Sequence, residues 1–354
     1  MSEKKYNIGI IGAGMIAEKH ITSFQNTGKA VITWVARKDV DKLAAFGKKY
    51  GIPNTTGDYR EMLHDPSLDV VVITLPPNLH YEMFMECIKA GKHILLEKPA
   101  SFSIEQLKNM LTEEKKHSGL TVMDCSCRHA RLQPKFYTVK AIIDSGILGD
   151  IYMIHHNCVG RQSRAGIEYH PAAKWFLNKS LSGGGPLLDW GVYDMSFHLG
   201  ILNDKPELKK IISATTKRGL DQVDPQTDVF DVEEHFIVMM ELTNGIHYYW
   251  ERGTNGHVDV PNETRIYGTK GGLKFGFCSW DEPVIEFFDV ENDGKGKARK
   301  QSIPVDMSNH KGDDQMLASH FIDVLEGKAT NMMPLERAVK HLDIILKSFA
   351  EAEK

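Results

Sequence analysis

At 354 residues, with 42% hydrophobic and 25% charged residues, the chain is long enough for two well-packed domains. A formal net charge of −4 gives no reason to expect nucleic acid or an anionic membrane as a partner. The longest apolar runs, such as 70–75, are strand-sized rather than membrane-sized, and the first six residues lead into a strand without a signal-peptide core.

The first element is an apolar strand, Tyr6 to Ile11, followed by Gly12-Ala13-Gly14-Met15-Ile16-Ala17 and helical spacing through Phe24. A G-x-G-x-x-A turn that opens a helix directly after a strand lets backbone amides and the helix N-terminus hold a pyrophosphate. Gly12, Gly14, Met15 and Ile16 are therefore candidate dinucleotide contacts. The second strand, Ala30 to Ala36, ends in Arg37-Lys38 where an acid would hold a ribose diol. An arginine there can stack on adenine and pair with a 2′-phosphate, so NADP(H) is favoured, with NAD(H) left open by Asp39.

Helices at 40–50 and 59–64 and a buried strand at 69–74 come next. Leu75-Pro76-Pro77-Asn78-Leu79-His80 then breaks the chain before a helix at 81–90. Asn78 is the expected N-cap of that helix, and Leu75, Pro76, Asn78 and His80 fall at the same sheet edge as the glycine turn. A strand at 94–96 ends on Glu97-Lys98-Pro99. Proline has no amide donor and biases its predecessor toward extended geometry, which fixes Lys98 in a turn at the carboxyl end of a strand, where ligands sit in open α/β sheets. From these residues alone a solvated strand-end lysine and a catalytic one both remain open. With a helix at 104–117 and a strand at 120–123, residues 1–124 read as a dinucleotide-binding α/β domain with a doubly wound parallel sheet of about six strands.

Residues 125–354 read as an α+β domain with a large, open-faced, mostly antiparallel sheet. A helix at 135–145 precedes a strand at 151–159; further strands are expected at 208–216, 229–242, 246–252, 263–267, 273–277 and 284–288. One face of this sheet needs a cover, from helices and from a partner subunit, so a homodimer or homotetramer is expected. Residues 292–301 read as a mobile surface loop, and helices at 314–326 and 335–351 close the chain against the seam. Cys125-x-Cys127 is too close-set for zinc and reads as strand-end packing, and no metal is expected. Five cysteines, an odd number in a large chain, point to free thiols and a cytoplasmic location.

Inside this domain lies Ser182-Gly183-Gly184-Gly185-Pro186-Leu187-Leu188-Asp189-Trp190-Gly191-Val192-Tyr193-Asp194. The glycines allow a close approach of backbone to a ligand or another strand. Asp189 and Tyr193, spaced i, i+4, share one helix face, whereas His198 falls about half a turn of the helical wheel away and reads as core or interface.

Gly12-x-Gly14-x-x-Ala17, Glu97-Lys98-Pro99 and Gly183-Gly184-Gly185-x-x-x-Asp189-x-Gly191-x-Tyr193-Asp194, in that order, resemble the motifs of the glucose–fructose oxidoreductase / inositol dehydrogenase / rhizopine-catabolism (Gfo/Idh/MocA) family. The resemblance implies a nicotinamide cofactor on the first domain, to which Glu97 and Lys98 also contribute, and a sugar or polyol site on the second, with Lys98, Asp189 and Tyr193 as catalytic residues. Many members carry histidine where this chain has Tyr193, and Lys174-Trp175-Phe176 stands where relatives often have Trp-Arg. A phenol must have its pKa lowered, here by the Lys98 ammonium, to act as a base near neutrality. His155, His156, Asn157, Arg161, Arg164, His170 and Trp175 are the candidate sugar contacts. Two other functions fit these motifs: a redox-neutral, NAD-dependent glycoside-cleaving enzyme working through transient oxidation, and a non-catalytic dinucleotide sensor.

Overall fold

The strands of the first sheet are apolar because both of its faces are covered: Ile8, Ile10, Val70 to Ile73 and Ile94 to Leu96 have no exposed surface. In the computed structural model, which describes residues 5–160, 174–220 and 229–354, these strands are β1 (Tyr6–Ile11), β2 (Ala30–Ala36), β3 (Asn54–Thr56), β4 (Val70–Ile73), β5 (His93–Leu96) and β6 (Val122–Asp124). They pair in parallel in the order β3-β2-β1-β4-β5-β6, with the topological switch between β1 and β4. β3, a polar Asn-Thr-Thr, has no apolar signature and was not anticipated as a separate strand.

Local chemistry sets the helices of this unit, α1 (Met15–Asn26), α2 (Val40–Tyr50), α3 (Tyr59–Leu63), α4 (His80–Lys89) and α5 (Ile104–Lys116). Asp39 caps α2 by accepting from the Lys42 amide, and Gly51 ends that helix with φ +65°. Asn78 does not cap α4. The two prolines pre-set a 3₁₀ turn over Pro77–Leu79, α4 begins at His80, and Asn78 is left exposed within the turn.

The chain divides into two compact units, Met1–Arg128 with Lys311–Val339, and His129–His310 with Lys340–Lys354. The helix Asp313–Leu325 therefore packs within the first unit, where Phe321 meets Phe24 of α1 edge-on at 6.2 Å and Lys29 pairs with Glu326 at 2.7 Å.

The second unit holds an eight-stranded sheet made of β7 (Ile151–Val159), β8 (Leu208–Lys217), β9 (His235–Leu242), β10 (His247–Gly253), β11 (Val260–Gly268), β12 (Gly271–Phe275), β13 (Val284–Val290) and β14 (Ala298–Pro304). Its order is β14-β13-β12-β11-β7-β10-β9-β8, antiparallel throughout except for the parallel pair β7–β10. Two sequence expectations fail here. Residues 229–234 are not strand, because Asp231 and Glu233 are spent on capping the helical segments that begin at Lys179 and Pro186. Residues 292–301 are not a loop, because Ala298–Pro304 is an edge strand whose Arg299 and Lys300 pair with Asp289 and Glu286 of β13. A solvated edge strand carries charges in place of alternation, which hid it. The remaining helices of this unit include α6 (Pro134–Asp144), α7 (Lys179–Ser182), α8 (Pro186–Asp189) and α9 (Gly191–Ile201).

Phe321→Ala should cost about 3–5 kcal/mol, the usual loss for a fully buried phenylalanine, read as a lower urea midpoint. A shift below about 1 kcal/mol would show that Asp313–Leu325 is not part of the first unit's core.

Candidate active site

At the carboxyl edge of the parallel sheet, Gly12 has φ +101°, and a Cβ there would sit 3.0 Å from the Thr74 carbonyl oxygen and 3.1 Å from Leu75. The turn is thus seated against the end of β4, with the Thr74 hydroxyl donating to the Gly12 carbonyl at 2.9 Å. Gly14 faces open space, and no side chain caps the N-terminus of α1. Uncapped amides and an unfilled cradle fit a pyrophosphate. Arg37 donates to the Ala13 carbonyl at 2.8 Å, so its guanidinium braces the glycine turn as well as standing at the end of β2. Lys38 is exposed, and Asp39, the α2 cap, also lies 3.2 Å from Lys42.

His80 is fully buried, and its two ring nitrogens lie 2.8 Å from the carbonyl oxygens of Pro99 and Leu75. It therefore acts on the cofactor edge through backbone, tying the end of β4 to the turn after β5, and has no surface for direct contact. Burial holds its pKa below the usual imidazole range, although both carbonyls favour the protonated ring. The Lys98–Pro99 peptide bond in that turn is cis. Glu97, 5% exposed, is likewise turned inward: it accepts from His20 at 2.8 Å and from Arg128 at 2.5 Å. Burial alone would raise its pKa, but Arg128 and His20 hold the carboxyl well below the ordinary range. Lys98 is half-buried beside it. His20, Glu97 and Cys125 lie within 4.8 Å of one another. Glu97 already carries the Arg128 guanidinium and burial pushes the Cys125 thiol up, so this is a charge-compensated strand end rather than a cation cage.

In the second unit, Glu233 accepts from the Gly185 amide at 2.8 Å and the Leu187 amide at 2.9 Å, capping α8 from a residue far along the chain. A Cβ on Gly185 would fall 2.0 Å from the Glu233 carbonyl oxygen, which is why glycine is needed there. The helix expected to run on through Asp189 and Tyr193 is broken at Trp190, with α8 ending and α9 beginning on either side of it. Asp189 and Tyr193 are both buried, at 7% and 2% exposure. His129 packs edge-on to Tyr193 at 4.9 Å and stacks on Trp190 at 6.0 Å. Asp194 turns into the sheet: Arg252 grips it with two bonds of 2.6 Å, Trp250 donates at 2.8 Å, and His156 stands 3.3 Å away. His198 is core, bonded to Tyr248 at 2.7 Å and Thr264 at 2.9 Å.

The candidate sugar contacts divide by strand register. His156, Trp250 and Thr264 are cross-strand partners on the face that packs α9, whereas His155 and Asn157 alternate to the opposite face. His155 meets Tyr249 there, ring to ring at 4.4 Å, so the structure brings neither His155 nor Asn157 to Tyr193. Trp175 stacks on Phe176 at 3.8 Å. Arg161, Arg164 and His170 lie outside the described residues. Glu233, Arg252 and His129 were missed. Each acts across the fold, and no local pattern in the sequence marks any of them.

Burial pushes the Glu233 carboxyl from 4.5 up to about 7, against the pull of its backbone donors. A folded-state pKa raised in this way means that the native state is favoured most below about pH 4.5 and loses that advantage as pH rises to about 7. Wild type should therefore lose thermal stability relative to Glu233→Gln across this window, and a constant difference would contradict the assignment. Gly185→Ala should cost about 1–3 kcal/mol through the backbone collision, measured by denaturant unfolding.

Residues 6–124 match the family described as an oxidoreductase family with an NAD-binding Rossmann fold, and residues 136–274 match the GFO/IDH/MocA C-terminal domain. Among curated relatives, trans-1,2-dihydrobenzene-1,2-diol dehydrogenase of Xenopus tropicalis is 26% identical over 300 residues, spanning 84% of this chain and 81% of its own. D-glucoside 3-dehydrogenase of Escherichia coli (strain K12) is 27% identical over 254 residues, 69% of each chain. In fold, the chain superposes on levoglucosan dehydrogenase in complex with NADH with a TM-score of 0.82 at 20% identity, covering 99% and 97% of the two chains. The two domain matches, in the same order as the glycine turn and the Gly183–Tyr193 segment, place the chain in the Gfo/Idh/MocA family of oxidoreductases.

Proposed function

We propose that the protein is a nicotinamide-dependent dehydrogenase or reductase acting on a hydroxyl or carbonyl of a sugar, glycoside or polyol. The observation that carries this reading is the edge of the first sheet, where an uncapped helix N-terminus behind Gly12 and Gly14 shares the strand-end turns with Lys98. Sugar dehydrogenases among the relatives support the substrate class.

The nicotinamide, when bound, supplies the hydride acceptor or donor. Gly12, Gly14 and the first amides of α1 hold the pyrophosphate, flanked by Met15 and Ile16, with Leu75 and Pro76 along the β4 turn. NADP(H) is favoured over NAD(H): Arg37 and Lys38 present positive charge at the ribose end, and the Asp39 carboxylate is engaged by α2 and Lys42. Tyr193 takes the substrate hydroxyl proton and Asp189 orients the hydroxyl, with Lys98 as the catalytic residue contributed by the first domain.

No helix of the described residues is long and apolar enough to cross a membrane. The five free thiols support a cytoplasmic location. His155 and Tyr249, half-buried on the face of the second sheet away from α9 with their rings 4.4 Å apart, support pairing of two or four copies through that face.

The test is titration with NADPH and NADH, followed by a sugar and glycoside panel that records cofactor absorbance and released products together. Absorbance change on a sugar supports the dehydrogenase, whereas product release at constant absorbance would replace it with redox-neutral glycoside cleavage. Tyr193→Phe and Lys98→Ala should each lower kcat by about 10²–10⁴-fold, Tyr193→Phe with dinucleotide affinity retained, and near-normal turnover in both would overturn these roles. Lys38→Ala should weaken NADPH by about 3- to 10-fold and leave NADH unchanged, and equal effects on both would remove the NADP(H) preference.

A further inference from the structure

We propose that Trp280 is the face on which the substrate ring stacks, so that the enzyme selects a closed pyranoside with mostly equatorial hydroxyls over an open-chain polyol. The inference rests on the sugar-oxidoreductase reading and narrows it.

Trp280 is 60% exposed, more than any other Trp, Tyr or Phe among the described residues. It is not a stray surface residue. Its ring stands edge-on to His129 at 5.3 Å and to Trp190 at 6.0 Å, and these two rings lie 4.9 Å and 5.4 Å from that of Tyr193. Four aromatic rings thus form one continuous wall running from the buried phenol to open solvent.

The loop that presents Trp280 is fastened from below with unusual investment. Lys135 of α6 has no exposed surface, and its ammonium donates to the carbonyls of Gly276 at 3.2 Å, Cys278 at 2.7 Å and Asp281 at 2.7 Å. Gln133, also fully buried, donates to the Phe277 carbonyl. The Asp281 carboxylate accepts from the Cys278 amide at 2.8 Å and from Asn262 at 2.7 Å. Burying an ammonium is costly unless its donors are all used, and here three carbonyls of one short loop use them. A loop so held shows its indole in one orientation without further ordering when a ligand arrives, which is what a stacking surface requires.

An indole face is apolar and carries negative quadrupole density, so it attracts a surface of weakly positive C–H groups. A pyranose with equatorial hydroxyls offers such a surface on each side, its axial hydrogens pointing to the face while the hydroxyls project from the rim. An open-chain polyol has no flat apolar face. Stacking at the wall leaves the rim hydroxyls free to be selected by Tyr193 and Asp189, a division between apolar platform and few polar groups that small-molecule sites commonly show.

The experiment measures kcat/KM for methyl β-D-glucopyranoside and for sorbitol in wild type, Trp280→Ala and Trp280→Phe, with circular dichroism to check folding and NADPH titration to check the cofactor site. Wild type should favour the glucoside. In Trp280→Ala the glucoside-to-sorbitol ratio should fall about tenfold, mainly through KM, and Trp280→Phe should restore most of it. An unchanged ratio in Trp280→Ala, with glucoside turnover intact, would overturn the stacking role while leaving the sugar-oxidoreductase reading in place. If wild type neither changes cofactor absorbance nor releases product with either compound, that reading fails and this inference falls with it.

Discussion

The second unit depends on one buried ion pair. Asp194 and Arg252 meet in a two-pronged contact with the carboxylate fully buried and the guanidinium 6% exposed. Burial alone would raise the Asp194 carboxyl, but Arg252 and His156 hold it well below the ordinary range. The pair locks α9 onto β10, and Arg252 continues beyond it: its guanidinium lies over the Trp190 ring at 5.0 Å. The break between α8 and α9, the buried Tyr193 beside it and the aromatic wall above it all hang from this contact. A charge pair in this environment stabilises only when every partner is present, so loss of either member would strand the other.

The first unit uses the same device at the end of β5. Glu97 is compensated by Arg128 and His20, while His80 bridges the turns after β4 and β5. Lys98 thus emerges from a strand end whose neighbouring charges are already paired. In both units the groups nearest the proposed chemistry are held by charges that do not themselves reach solvent.

What the sequence made legible follows from how local each signal is. The glycine turn, Glu97-Lys98-Pro99 and the glycine run before Asp189 declare themselves because backbone geometry requires those residue types within a few positions of one another. The strand reading 151–159 has the right extent but takes His155, His156 and Asn157 alike as sugar contacts, although only His156 faces α9. In a sheet covered unevenly on its two faces, a one-residue phase decides everything, and neighbouring histidines carry no phase of their own. Glu233 was legible only as part of a strand, since its cap on α8 forms across 46 and 48 positions of chain. β14 was hidden by the charges that keep an edge strand from pairing further.

These observations bear on where specificity can reside. Glu97, His80, Asp194, Arg252 and His198 are buried, and their hydrogen-bonding capacity is used within the fold. Changing any of them to suit a different substrate would expose an unpaired charge or donor at a cost of several kcal/mol. The rim is different. Lys38 and Trp280 are exposed, and each can be exchanged without stranding a buried partner. A family that keeps one hydride-transfer scaffold while varying its sugars would be expected to vary such positions, because the interior resists change and the rim does not. The proposed cofactor choice at Lys38 and the proposed ring choice at Trp280 would then be two expressions of one constraint: selectivity lies where side chains are not already committed to holding the fold together.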